Sequence, residues 1–129
     1  MPALEPHINI WFECEGQVAL SGWRVLLMEA IAETGSISAA AERMQVPYRV
    51  AWNKIKEMEQ HLGVELVQTR IGGADGGGAQ LSPAAETYIH SYRQFSAGLE
   101  EWVQQRFAAV FVTCMLSLSP EHGHLYPHQ

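Results

Sequence analysis

Residues 36–62, SISAAAERMQVPYRVAWNKIKEMEQHL, hold two blocks of helix formers separated by one break. Ser36 or Ser38 offers an N-cap, and Ala39-Ala40-Ala41-Glu42-Arg43-Met44 is a dense run of high helix propensity. Gln45-Val46-Pro47 ends the run, because proline disfavours a helical residue before it and suits a helix start. A second helix is expected from Pro47 to about Leu62, where Gly63 supplies the stop. Its Ala51, Ile55, Met58 and Leu62 fall at steps of four, three and four, which makes one apolar stripe. Small Ala40 and Ala41 permit close helix contact, with Met44 and Val46 filling the turn, so the second helix sits firmly on the first. This is the sequence logic of a helix-turn-helix.

The opposite face of the second helix carries Arg49, Asn53, Lys56 and Gln60, again at steps of four, three and four, with Tyr48 at the exposed N-terminal end. These side chains suit nucleic acid: arginine pairs with guanine and asparagine with adenine through two hydrogen bonds each, and lysine with phosphate. The face alone also fits the solvated side of an ordinary three-helix core. Trp52 could serve as an inserted wedge, but its place beside Ala51 and near Ile55 favours that core.

Upstream, Ile8, Ile10 and Phe12 alternate with Asn9, Trp11 and Glu13, the period of a half-buried strand. Glu15-Gly16 reads as a turn and Val18 to Leu20 as a short return strand. Ser21 caps a helix from Trp23 to Glu33 with Val25 or Leu26, Leu27, Ala30 and Ile31 inward, and Thr34-Gly35 stops it. Downstream, Val64 to Arg70 is strand-like and Gln80-Leu81 a short return. Between them Gly72 to Gly78 has five glycines in seven positions, which predicts a mobile loop or hairpin tip rather than regular strand. Such a hairpin would stand beside the second helix as a wing, with Thr69 and Arg70 at its base able to meet a phosphate backbone. A phosphate-cradling nucleotide loop is the rival reading of the glycines. It requires a helix directly after them and a Gly-Lys-Ser/Thr or GxGxxG spacing, and Gly76 to Leu81 offers neither.

Ser82-Pro83 opens a long helix to about Arg106 with Tyr88, Tyr92, Phe95, Leu99 and Trp102 spaced four, three, four and three. Such a seam serves either an intramolecular core or a dimer contact. Because a helix of that length reaches about 36 Å and part of it must overhang so small a domain, these five residues are assigned to dimerisation. The expected fold is mainly α with a small β component: a winged helix-turn-helix with a long C-terminal dimerisation helix and a short N-terminal strand or hairpin. Residues 1–118 form one domain, with the apolar run Phe107 to Leu118 unassigned, and residues 119–129 form a tail.

The composition bounds the alternatives. A chain of 129 residues with 47% hydrophobic and 17% charged residues is one globular domain. Cys14 and Cys114 give neither a disulfide framework nor a metal spacing, which fits the reducing cytoplasm. No secretory signal is visible, and the longest apolar run, twelve residues, falls short of the roughly 20 a membrane span needs. His122, His124 and His128 lack a convergent fourth ligand, so no metal or other cofactor is expected. No nucleophile, base and acid can be assembled into a catalytic set, so the chain reads as a non-enzyme. The net charge of −6 speaks against nucleic acid, but Arg43 to Arg70 contains five basic and three acidic residues, and the acidity lies in the remainder.

The stretch Glu33 to Met44, the run Tyr48 to Glu59 with its Ala51-Trp52 pair, the glycine tract and Leu81-Ser82-Pro83 together resemble the N-terminal DNA-binding domain of bacterial molybdate-responsive transcriptional regulators. More distantly they resemble the LysR-type winged helix-turn-helix. The resemblance spans about Ser21 to Arg106. It implies a homodimer on double-stranded DNA, bound at a pseudo-palindromic operator with the helix from Pro47 or Tyr48 in the major groove. Arg49 and Asn53 are then the base-reading residues, and Tyr48, Lys54, Lys56 and Arg70 hold the backbone, with Ser38 and Pro47 completing the DNA-facing set. Gln45 stands where glycine is common in that turn, which adds strain, and Pro47 where serine is frequent, which removes a hydroxyl. Nothing after Arg106 has the strand pattern of the molybdate-binding modules, so a molybdate effector is not expected of this chain. The second reading is a dimerising winged-helix module that modulates a full-length regulator without binding DNA itself.

Overall fold

The computed structural model describes residues 3–73 and 76–118, which fall into two compact units: residues 9–95, and the flanking residues 3–8 with 96–118. The larger unit begins with β1 (Trp11–Cys14) and β2 (Gln17–Ser21), an antiparallel hairpin with an irregular register between Phe12 and Glu13. Its two-residue turn, Glu15-Gly16, has φ of 51° and 78°, the left-handed pair that matches the twist of a tight hairpin. Next come α1 (Gly22–Thr34), α2 (Ile37–Arg43) and α3 (Tyr48–Leu62), then β3 (Val67–Gly73) and β4 (Gly76–Leu81) as a second antiparallel hairpin, then α4 (Pro83–Ser96).

The helix ends follow the expected chemistry. Ser21 Oγ accepts the Arg24 amide at 3.2 Å and Ser36 Oγ accepts the Ala39 amide at 2.9 Å, which resolves the choice between Ser36 and Ser38. Gly35 and Gly63 close α1 and α3 in the left-handed conformation, with φ of 79° and 70°. Pro47 stands just before α3 as an extended cap residue rather than inside the first turn. The turn between α2 and α3 passes through Gln45 at φ 59°, so the position that invites glycine is left-handed and occupied by a residue with a Cβ.

The core consists of Val25, Leu27, Met28 and Ile31 of α1, Ala40 and Ala41 of α2, Ala51, Ile55 and Met58 of α3, and Leu66 at the approach to β3. Val25 points inward and Leu26 outward. Burying Ile55 and Met58 stabilises the seat of α3 by about 1.5–3 kcal/mol each.

Two expectations are corrected. The glycine tract is largely β-structure: Gly72 and Gly73 lie in β3 and Gly76 to Gly78 in β4, with Arg70 opposite Gly78. Backbone hydrogen bonds hold the ladder where side chains do not. The segment 83–106 is not one helix. Gly98 adopts φ 81°, which interrupts the hydrogen-bond ladder, and α5 (Leu99–Ser117) starts after it and takes in most of the apolar run. The aromatic seam is divided accordingly. Tyr88 and Tyr92 of α4 pack against the core of the larger unit, where the Tyr92 hydroxyl donates to the Ile10 carbonyl at 2.9 Å. Phe95 is exposed and meets Phe12 edge-on at 5.3 Å. Leu99 and Trp102 belong to α5, which has no buried residue among those described and exposes Trp102, Val110, Phe111, Val112 and Leu116. Within this second unit Phe107 and Phe111 stack at 5.4 Å, and Gln104 donates to the Pro6 carbonyl at 3.4 Å.

Candidate nucleic-acid interface

Helix α3 turns Ala51, Ile55 and Met58 inward, which fixes its opposite face outward. Arg49, Asn53, Lys56 and Gln60 are all exposed on that side. Lys56 Nζ lies 3.2 Å from Glu59 Oε1 and 5.3 Å from the centre of the Trp52 ring, so its head is held rather than free. Lys54 sits on the flank away from this face and pairs with Glu57 at 3.5 Å. The structure does not bring it to the surface that holds Arg49 and Asn53.

The wing is tied to α3 by one side chain. Glu59 Oε2 accepts the Leu66 and Val67 amides at 2.8 and 3.2 Å, and thereby orients the start of β3 against the helix. Burial is the largest influence on this carboxyl and raises its pKa. The two amides and the Lys56 ammonium together outweigh it, and the net result lies below the usual carboxylate value. On the other strand, the Ala79 amide donates to the Gly35 carbonyl at 2.8 Å, which pins β4 to the turn between α1 and α2. Ser82 Oγ accepts the Ala85 amide and donates to the Glu65 carbonyl, so the same hydroxyl caps α4 and closes the base of the wing.

These ties leave a cleft of about 240 Å³ between the start of α2, the start of α3 and the wing, lined by Ser36, Ser38, Tyr48, Thr69, Arg70 and Gly78 among others. Gly78 leaves room there. A Cβ at that position would stand 3.3 Å from Arg70 Nη2 and 3.4 Å from the Gly35 carbonyl oxygen, so its absence lets the guanidinium lie across β4. Hydroxyls from Ser38, Tyr48 and Thr69 with one guanidinium form a donor set suited to phosphate.

The ion pairs sharpen the electrostatics. Arg24 and Lys54 share Glu57, Arg43 pairs with Glu33, Lys56 with Glu59 and Arg93 with Glu29. Among the described residues of 9–95, that leaves Arg49 and Arg70 as the cations without a carboxylate partner. One stands on the outer face of α3 and the other in the adjoining cleft.

Of the residues read from sequence, the structure therefore gathers Ser38, Tyr48 and Arg70 in the cleft, sets Arg49, Asn53 and Lys56 along α3, and places exposed Pro47 at the entry to that helix. Glu59 was not legible as the wing's anchor, because its seven- and eight-residue reach to Leu66 and Val67 has no periodic signature. Trp52 is corrected: it is 40% exposed, not core. Adjacency to Ala51 in sequence is about a quarter turn away from it on a helix. No group of three or more His, Cys, Asp or Glu among the described residues is placed to hold a metal, and His122, His124 and His128 lie outside them. No helix among the described residues is long and apolar enough to cross a membrane.

Residues 24–86 match the bacterial regulatory helix-turn-helix proteins of the lysR family. Over 76 residues the chain is 43% identical to the molybdenum-pterin-binding protein MopB of Rhodobacter capsulatus, a match covering 59% of this chain and 28% of that protein. Over 69 residues it is 39% identical to the DNA-binding transcriptional dual regulator ModE of Escherichia coli K12, covering 54% and 26%. The chain thus spans under a third of the length of these curated relatives. The fold is that of the DNA-binding domain in the crystal structure of the CbnR_DBD–DNA complex, with a TM-score of 0.53, 23% identity, and coverage of 67% of this chain and 93% of that one.

Proposed function

We propose, from the match of residues 24–86 to the bacterial regulatory helix-turn-helix proteins of the lysR family, that the chain binds double-stranded DNA sequence-specifically and regulates transcription as a homodimer. Each subunit lays α3 in the major groove of one half of a pseudo-palindromic operator and sets the β3–β4 wing against the flanking phosphates. Arg49 and Asn53 meet base edges, while Ser38, Tyr48, Thr69 and Arg70 hold backbone phosphate in the cleft. The observation that carries the reading is the placement of the two cations of residues 9–95 that have no carboxylate partner among the described residues: in a chain of net charge −6, Arg49 and Arg70 stand on the outer face of α3 and in the cleft beside it. Dimerisation is supported by the exposed aromatic and aliphatic side chains of α5, which water solvates poorly. Cytoplasmic location follows from the same reading.

Selection of bound duplexes from a random pool tests it. Enrichment of an inverted repeat, with half-site centres about one helical turn or a multiple of it apart, is the expected result. A second reading, a dimerising module that acts on a related regulator without DNA, is favoured by the acidic total and the apolar α5. A purified dimer that enriches no sequence and shows no salt-dependent affinity at low ionic strength would establish the second reading over the first.

A further inference from the structure

Trp52 is a large apolar side chain left 40% exposed on the helix that carries Arg49 and Asn53. It is separated by four residues from Tyr48 on one side and Lys56 on the other, so the three line one edge of α3. Tyr48 enters the cleft shared with the wing, and Glu59, on the same edge, anchors the wing's first strand. Trp52 therefore stands on the border between the outer face of α3 and the wing. Its indole N–H has no hydrogen-bond partner among the described residues. Its ring is nonetheless held, because Lys56 Nζ lies 5.3 Å from the ring centre and is itself fixed by Glu59 at 3.2 Å. An indole kept in place and partly open to water loses little further freedom when something covers it.

The major-groove edges of the bases offer hydrogen-bond donors and acceptors and one apolar feature, the C5-methyl of thymine. Arg49 and Asn53 suit the polar features. We infer that Trp52 is a specificity-determining residue that packs against a thymine methyl in each half-site, with the Lys56–Glu59 pair acting as its support. The inference rests on the DNA-binding reading and names a contact within it.

Replacing thymines by uracil one at a time in the selected duplex removes the methyl and leaves base pairing intact. Titration by fluorescence anisotropy with the wild-type chain is expected to show one position per half-site where uracil weakens binding about fourfold. In Trp52→Ala the thymine and uracil duplexes bind alike at that position, although salt-dependent binding persists. Trp52→Phe, which keeps an apolar ring, retains part of the preference. The inference is overturned if the wild-type chain tolerates uracil everywhere, or if the methyl preference is the same in wild type and in Trp52→Phe and Trp52→Ala. Either result leaves DNA binding itself standing. A wild-type chain that binds no duplex removes both readings together.

Discussion

Gln45 and Glu59 show how single side chains set the geometry of the helix-turn-helix and its wing. Gln45 holds φ 59° in the turn before α3, a conformation that costs a residue with a Cβ about 1 kcal/mol or more. Gln45→Gly is expected to raise stability by about 0.5–1 kcal/mol, the relief being partly offset by the greater freedom of glycine in the unfolded chain. Urea denaturation measures it, and a lower midpoint would contradict the strain. Glu59 carries a folded pKa below its ordinary value of 4.5. Its contribution to stability is therefore complete above the unfolded pKa and is lost as the pH falls through the folded one. Glu59→Gln should destabilise by about 1–3 kcal/mol at pH 7, and the gap to wild type should close as the pH drops below about 4.5. A gap that ignores pH would remove the carboxylate from the wing's anchorage. Glu57 has a different part: Arg24 is buried, with Nη1 unpartnered and Nη2 donating to Glu57 at 3.0 Å. The neighbours of Trp52 in sequence suggest burial, whereas exposure follows the angle around α3, and the steps that place Ala51 inward turn Trp52 to the side.

Among the elements, the three central helices were legible because caps, glycine stops and the Ala51, Ile55, Met58 stripe agree with one another. The wing and the last helices were less so. A glycine tract carries no alternation, so nothing in its composition distinguishes a loop from a ladder held by backbone alone, and Gly78 lies in strand opposite Arg70, whose guanidinium would be in tight contact with a Cβ there. The 3.5-residue spacing from Tyr88 to Trp102 continues across Gly98, so periodicity did not report the break. The apolar side chains of α5 are the element-scale basis of the proposed dimer. Introducing charge with Val110→Asp and Phe111→Asp should convert a dimer to monomers in sedimentation equilibrium. An unchanged mass would place the dimer contact elsewhere.

For the molecule as a whole, charge distribution decides more than charge total. Six of the basic side chains outside Arg49 and Arg70 belong to ion pairs or lie beyond residues 9–95, which leaves a small cationic surface on an acidic body. If each subunit neutralises about two to three phosphates, the dimer's log affinity should fall with log salt at a slope of about −4 to −5, modest for a regulator, and specific contacts should carry much of the binding. The most direct test is an anisotropy titration of the selected duplex and a scrambled one across salt concentrations with wild type, Arg49→Ala and Arg70→Ala. Reading of bases by α3 predicts that Arg49→Ala erases most of the difference between the two duplexes, and that Arg70→Ala weakens both equally with a slope reduced by about one per subunit. Affinity, preference and slope that stay at wild-type values in both variants would contradict DNA recognition by this surface.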